Sequence, residues 1–96
     1  MYDIDTTREF EDWLDGLRDL NAKARVAKRI QIMSTGTLGN TRPLTGGLFE
    51  AKIHYGPGYR LYFVTRGKRI IVLLCGGDKS TQKQDIKKAK ELAKEL

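Results

Sequence analysis

Residues 48–66 read LFEAKIHYGPGYRLYFVTR, and this stretch decides the fold. Apolar and polar side chains alternate along residues 48–55 and again along residues 59–66, which predicts two β-strands that each bury one face. The Gly-Pro-Gly segment at residues 56–58 lies between them and suits a tight turn, because glycine readily adopts positive φ. The sequence therefore predicts a β-hairpin whose polar side chains share one open face.

The length of the loop predicts how the two strands pair. A three-residue loop over residues 56–58 brings opposed side chains onto one face, with their Cβ atoms about 5 Å apart. This register also collects the apolar side chains on the other face, whereas a shift by one residue would scramble both faces. The predicted pairs are Tyr55–Tyr59, His54–Arg60, Ile53–Leu61, Lys52–Tyr62, Ala51–Phe63 and Glu50–Val64.

The open face of the hairpin carries side chains that suit proton transfer and phosphate binding. Arginine grips a phosphate with two parallel hydrogen bonds, histidine titrates near neutral pH, lysine adds a point charge and tyrosine can stack on a base. RNA brings its own nucleophile, the 2′-OH, so such a surface has the groups to cut RNA without a metal. An inert solvated sheet face is the alternative interpretation. The face comprises Glu50, Lys52, His54, Arg60 and Tyr62.

Two helices and a short strand are predicted before the hairpin. Residues 1–4 suit an edge strand, and Thr6 with Glu9 forms a capping-box pattern that begins a helix. A second helix follows Asn21 and ends near Gly36, which gives a helical hairpin. We interpret its basic residues Lys23, Arg25, Lys28 and Arg29 as a solvated face. Its predicted inner stripe is Ala24, Ala27, Ile30 and Met33.

The chain after the hairpin predicts one more strand and one more helix. Residues 70–74 are uniformly apolar, which is typical of a strand buried on both faces, and Gly76-Gly77-Asp78 is expected to break it. Thr81 and Gln84 form a second capping box, and the helix that follows has only a thin apolar stripe. Between the second helix and the hairpin, residues 36–47 are predicted to form a loop with a short strand near residues 42–44.

Composition limits the remaining possibilities. The 96 residues form one domain, 1–96, with a net charge of +6 and a pI near 9.6, which favours a polyanionic or acidic partner. Cys75 has no partner for an internal disulfide and is expected to be buried. A single His and a single Cys give no metal-ligand spacing, so we expect no metal. We see no signal peptide and no long apolar run, so we expect a cytoplasmic protein without membrane attachment.

The segment from residues 74 to 81 superficially suggests a P-loop. That motif would need glycines at positions 73 and 78, which are Leu73 and Asp78, so a full phosphate cradle is excluded. Backbone N–H groups and Lys79 at the start of the last helix could still hold one phosphate. A turn followed by a helix cap explains the segment equally well.

The chain resembles the RelE/HigB-type toxins of bacterial toxin–antitoxin modules, and in particular the short addiction module killer proteins. The resemblance implies an α+β fold, with an N-terminal helical hairpin packed on a twisted, mainly antiparallel sheet of four or five strands, and a C-terminal helix. The matching segments are FxxWL at 10–14, GN at 39–40, GGLFE at 46–50, GPGYRLYF at 56–63, and LLCGGDKS at 73–80 with Asp85-Ile86 following.

The resemblance also implies an activity, partners and site residues. Toxins of this kind cut mRNA on the ribosome without a metal or other cofactor, leave a 2′,3′-cyclic phosphate and so inhibit translation. The expected partners are the ribosome, mRNA and a helix-turn-helix antitoxin of the HigA kind, with the free toxin a monomer and the inhibited form a hetero-oligomer. The carried-over catalytic residues are Lys52 or His54 as general base, Arg60 as phosphate clamp and Lys79 as second cation. We further predict, from the residues themselves, that Tyr62, Ser80 and Glu50 bind substrate.

The identity of the general acid stays open, because the last helix contains no Tyr or His where some relatives carry one. Lys52, His54 and Tyr62 are all possible. Two other functions also stay open: a non-catalytic inhibitor of DNA gyrase, as in the ParE branch of the same fold, and a basic nucleic-acid-binding module. The strip of Lys52, His54 and Arg60 argues for the nuclease.

Overall fold

The computed structural model describes residues 1–96 and has an α+β fold, in which three helices pack on a five-stranded mixed sheet. The strand order is β1-β5-β4-β3-β2, with β1 parallel to β5 and every other pair antiparallel. The strands are β1 (Asp3–Thr6), β2 (Thr41–Pro43), β3 (Phe49–Ile53), β4 (Tyr59–Arg66) and β5 (Ile70–Asp78). The helices are α1 (Arg8–Asp15), α2 (Leu20–Ser34) and α3 (Gln82–Lys94).

Side-chain caps fix where the first two helices begin. Thr7, rather than Thr6, caps α1 by accepting a 3.0 Å hydrogen bond from the Phe10 amide, because Thr6 is still paired with β5. Asp19, rather than Asn21, caps α2 and accepts from two amides of its first turn. Gly36 follows α2 with φ at 98°, as predicted for a helix end. None of the three helices combines the length and apolarity needed to cross a bilayer.

One face of the sheet packs against α1 and α2 and forms the larger core. Val26 and Met33 of α2 are buried there, whereas Ala24 and Ala27 are exposed, so the predicted stripe of α2 is partly wrong. The buried positions advance by four and then by seven residues from Ala22, as a helix with 3.6 residues per turn requires. The predicted stripe advanced by three residues at each step, and such a series gradually turns away from the buried face. The buried core comprises Phe10, Ala22, Val26, Met33, Ala51, Ile53, Tyr59, Leu61, Phe63, Ile71 and Leu73.

The opposite face of the sheet is covered by α3 over β4 and β5. Its thin apolar stripe suffices for this, because Ala89 is fully buried against the sheet and longer side chains flank it. The face that the sequence predicted to be open is therefore closed over β4. The buried side chains of this second core are Leu48, Tyr62, Val72, Leu74, Cys75 and Ala89.

Two glycines of β5 allow helices to approach both faces of the sheet. The strand runs on to Asp78, so the predicted break at Gly76 is wrong. A Cβ on Gly76 would lie 2.7 Å from Cδ2 of the Trp13 ring, and a Cβ on Gly77 would lie 2.8 Å from Cγ of Asp85. These glycines are thus contact points for α1 and α3 rather than strand breakers.

The hairpin of β3 and β4 pairs two residues out of the predicted register. The loop spans five residues, 54–58, and Ile53 opposes Tyr59. Hydrogen bonds from the Tyr55 amide to the Ile53 carbonyl and from the Gly58 amide to the Tyr55 carbonyl, each 3.0 Å, close this longer loop. An even shift keeps every side chain on its predicted face but changes its partner.

Candidate active site

A polar pocket of about 300 Å³ opens beside the first turn of α3, at the β2–β3 side of the sheet. It lies where two cross-strand pairs meet, since Arg42 opposes Glu50 and Lys52 opposes Arg60. No hydrophobic residue lines it, which is unusual for a ligand pocket and suits a charged ligand. The lining residues are Asn40, Thr41, Arg42, Glu50, Lys52, Arg60 and Gln82.

Arg60 and Lys52 are the two predicted catalytic residues that the fold brings together in this pocket. Lys52 is half-buried and Arg60 is only 4% exposed, so Arg60 does not lie on an open surface as predicted. Nη1 of Arg60 donates to the Gly58 carbonyl at 2.7 Å, while its buried Nε has no hydrogen-bond partner. Nη2 makes no hydrogen bond within the chain, so the guanidinium is held in place by Nη1 and keeps Nη2 as an unused donor.

Glu50 lies in the pocket, but its carboxylate already serves protein donors. Oε1 accepts a 2.8 Å hydrogen bond from Nε of Arg42, and Oε2 accepts one of 2.8 Å from Nε2 of Gln82. Oε2 also lies 3.8 Å from Nε of Arg60. Burial alone would raise the pKa of Glu50, but these hydrogen bonds and the charge of Arg42 outweigh it and lower the pKa. Glu50 is thus an ionised tether between three elements.

His54 stands next to the pocket rather than inside it. It follows the end of β3 and is exposed, so the predicted pairing with Arg60 is wrong. Its Nε2 lies 2.9 Å from Nδ2 of Asn40, and Asn40 lines the pocket. The imidazole is consequently fixed close to the site by a residue that the sequence did not indicate.

Arg29 joins the parts of the chain that form this side of the pocket. Its Nη1 donates to the Lys52 carbonyl at 2.8 Å, and its Nη2 donates to the Leu38 and Asn40 carbonyls at 3.1 and 2.9 Å. A Cβ on Gly39 would lie 3.1 Å from its guanidinium carbon, so the loop passes tightly around it. The interpretation of Arg29 as part of a solvated face is wrong.

Tyr62 is fully buried under α3 and has no access to a substrate base. Burial, and then the negative charge of Glu50, raise the pKa of its phenol above the ordinary value. The hydroxyl makes no hydrogen bond of standard geometry, although the Glu50 carboxylate is close enough to interact with it. The prediction that Tyr62 binds substrate is therefore wrong, because α3 covers this part of the sheet.

Lys79 and Ser80 are exposed on a single 3₁₀ turn, Lys79–Thr81, before α3. The carboxylate of Asp78 accepts from the Ser80 amide at 2.8 Å and from Ser80 Oγ at 2.5 Å, so the chain itself fills the expected phosphate position. Lys79 does not line the pocket but borders the loop before Arg60, since a Cβ on Gly58 would lie 3.9 Å from Cβ of Lys79.

Cys75 is not placed for chemistry. It is buried in the second core, as predicted, and its burial, followed by the charge of Asp85, raises the pKa of its thiol to about 12. No group of three His, Cys, Asp or Glu side chains lies close enough to hold a metal ion.

Sequence analysis did not identify four of the pocket residues. Three of them form one segment, residues 40–42 at the start of β2, and the fourth is Gln82 at the start of α3; only tertiary structure brings the two segments beside Lys52 and Arg60. The one available signal for Arg42 was its position on the short strand predicted before the hairpin. Nothing in the local pattern around Gln82 distinguishes it from other polar residues at a helix start.

Comparison with known proteins supports the fold and assigns a family. The family described as "Phage derived protein Gp49-like (DUF891)" matches residues 12–96. An uncharacterized protein of Haemophilus influenzae is 46% identical over 93 residues, which cover 97% of this chain and 94% of that protein.

Solved structures of Escherichia coli toxins share the fold at low sequence identity. YafQ from strain BL21(DE3) has a TM-score of 0.64 at 16% identity, covering 85% of this chain and 98% of that one. In the RelBE toxin–antitoxin complex, the matched chain has a TM-score of 0.60 at 16% identity, covering 81% of this chain and 96% of that one. The protein thus belongs to the Gp49-like family, and its fold is that of the RelE- and YafQ-type toxins.

Proposed function

We propose that the protein is the toxin of a type II toxin–antitoxin pair, and that it is a ribosome-dependent endoribonuclease which cuts mRNA through the 2′-OH of the RNA. The observation that carries this proposal is the direct pairing of Lys52 with Arg60 in a pocket without apolar residues, where Nη1 of Arg60 is held by the Gly58 carbonyl and Nη2 makes no hydrogen bond within the chain. Such fixed donors stabilise charge that develops on a phosphate during the reaction.

The chemistry proceeds by transfer of the phosphate within the RNA. Lys52 or His54 takes the proton of the 2′-OH, and the 2′ oxygen forms a bond to phosphorus. Arg60 stabilises the negative charge of the phosphorane, and Lys79, beside the same loop, adds a second cation. The bond from phosphorus to the 5′ oxygen then breaks, and that oxygen receives a proton. The products are a 2′,3′-cyclic phosphate and a 5′-OH.

The proposed partner in the inhibited state is an antitoxin of the helix-turn-helix kind. Support for an antitoxin partner of any kind comes from the relatives in fold, since DinJ–YafQ and RelBE of E. coli are both described as toxin–antitoxin complexes. We further propose that the toxin acts in the cytoplasm, where ribosomes translate, and that it is a monomer when free.

Inducible expression of matched variants tests the proposal. Wild type should arrest growth and produce new 5′ ends within translated mRNA, and Lys52→Ala should reduce cleavage about 10²–10³-fold, as expected for losing one group that stabilises the transition state. Lys68→Ala is the control, because Lys68 is exposed in the β4–β5 turn and carries the same charge. Thermal unfolding of both variants establishes that they fold.

Two results would contradict the nuclease. Growth arrest with intact transcripts and DNA damage would indicate a gyrase inhibitor, and harmless expression of soluble protein would indicate a plain binding module. Arg60→Ala should likewise abolish growth inhibition, but its side chain is buried, so its unfolding curve must be measured alongside.

A further inference from the structure

The pocket holds one more cation than the sequence motif assigns, and we infer that Arg42 contacts the substrate by binding a phosphate group together with Arg60. The inference deepens the proposed function and rests on it for the source of that phosphate, the phosphodiester of RNA. The inference itself claims only that one guanidinium on β2 and one on β4 bind the same anion.

The first support is the way in which Arg42 is held. Its side chain is 58% exposed on a three-residue edge strand, yet its Nε is fixed at 2.8 Å from Oε1 of Glu50, which is only 3% exposed. A long exposed arginine ordinarily samples many rotamers. The buried carboxylate restricts this one to the pocket and occupies only Nε, while the two Nη groups make no hydrogen bond within the chain.

The second support is a donor that the ion-pair network does not satisfy. Nε of Arg60 is buried without a hydrogen-bond partner, and its nearest carboxylate oxygen, Oε2 of Glu50, lies 3.8 Å away. That distance compensates charge but is too long for a hydrogen bond. Nη2 of Arg60 also makes no hydrogen bond within the chain and, unlike Nε, is not a buried atom, so it can donate to an acceptor oxygen of a ligand in the pocket.

The third support is the charge balance of the pocket. Arg42, Lys52 and Arg60 contribute three positive charges against the single negative charge of Glu50. The remaining lining groups are neutral and polar, and the volume of about 300 Å³ has room for a phosphate with part of its sugar. Arginine binds phosphate with paired hydrogen bonds, so two guanidiniums can hold both non-bridging oxygens.

Binding of an RNA trinucleotide that cannot be cut tests the inference without using activity. The probe carries 2′-O-methyl groups, and inorganic phosphate serves as the second ligand. Arg42→Ala should weaken trinucleotide binding about 5–10-fold and lower the slope of log K against log salt by about 0.7, the value for one lost contact to a single strand. Arg66→Ala is the matched control, since Arg66 is also an exposed strand arginine but lies at the far end of β4.

Side-chain NMR supplies the direct readout. The Nε–H signals of Arg42 and Arg60 should both shift when trinucleotide is added to wild type, and Arg42→Lys, which keeps the charge but lacks Nε, should bind more weakly than wild type. Trinucleotide should bind more tightly than inorganic phosphate if the source is RNA. Equal losses of affinity in Arg42→Ala and Arg66→Ala, with no shift of the Arg42 signal, would overturn the inference.

The failure of this inference is distinguishable from failure of the nuclease proposal. Trinucleotide binding that depends on Arg42, in a wild-type protein that never cleaves mRNA, would remove the nuclease and leave the phosphate site. Normal mRNA cleavage by Arg42→Ala, with unchanged trinucleotide binding, would remove the role of Arg42 and leave the nuclease.

Discussion

The replacement Gly76→Ala gives a sharp test of how α1 sits on the sheet. Gly76 does not adopt positive φ, so alanine meets no backbone penalty there. With no obstacle above the strand, Gly→Ala at such a position stabilises a protein by about 0.4–1 kcal/mol through the unfolded chain. The structure predicts the opposite sign, because the new methyl group would lie 2.7 Å from Cδ2 of Trp13 and closer to two other ring atoms.

The size of the effect follows from the packing of Trp13. Carbon atoms in contact prefer about 3.5–4.0 Å, so the ring must move by roughly 1 Å. Its neighbours resist that movement, since its centroid lies 5.7 Å from that of Phe10 and 6.3 Å from that of Tyr59. Overpacking of this kind costs about 1–3 kcal/mol, which corresponds to a fall in Tm of roughly 5–20 °C for a domain of this length.

The assay is thermal and urea unfolding followed by far-UV circular dichroism, which also works in the control background that lacks Trp13, the single tryptophan of the chain. Trp13→Leu supplies the control background, in which Gly76→Ala should lose most of its cost, with a coupling of at least about 1 kcal/mol between the two positions. A Tm of Gly76→Ala equal to or above that of wild type would refute the close contact. So would an equal cost in both backgrounds.

Three further predictions concern the site and its supports. Glu50→Gln should lower stability at pH 7, and the difference from wild type should shrink as the pH falls below 4.5. The folded pKa of Glu50 lies below this ordinary value, so its contribution is present above 4.5 and is lost as the pH falls through the folded pKa. Urea unfolding at pH 7 and at acidic pH measures this, and a difference that does not change with pH would contradict it. Tyr62→Phe should unfold at the same temperature as wild type or a few degrees higher, since its hydroxyl makes no hydrogen bond of standard geometry. A decrease of more than about 1 kcal/mol in the free energy of unfolding would reveal a hydrogen bond at that oxygen. Arg29→Ala should lower the free energy of unfolding by about 3 kcal/mol or more, because a charged donor serves three carbonyls. Amide hydrogen exchange of residues 38–40 should accelerate, and unchanged exchange would show that this loop is ordered without Arg29.

The sequence allowed the fold class and the two faces of the hairpin to be predicted, because both depend on local periodicity. It did not allow the register to be predicted, since alternation repeats every two residues and cannot distinguish a three-residue loop from a five-residue loop. The loop hydrogen bonds of Tyr55 and Gly58 decide between them. Lys52 rather than His54 therefore opposes Arg60.

The candidate site could be predicted only where its residues lie on the hairpin. Lys52 and Arg60 were found because they share a face in either register, whereas Tyr62 was misplaced because the cover provided by α3 depends on tertiary packing. The glycines at 76 and 77 show the same limit. As a pattern they indicate the end of a strand, and only the positions of Trp13 and Asp85 show that they are close contacts.

The parallel pairing of β1 with β5 has a consequence for biosynthesis. The first strand of the chain finds its partner only in residues 70–73, and β4 needs that same segment on its other side. Contacts so distant in sequence form late and slowly. A polypeptide abandoned before residue 70 therefore has an unpaired first strand and lacks Gln82 beside the pocket. Interrupted synthesis thus yields fragments without a complete pocket, which proteases can remove.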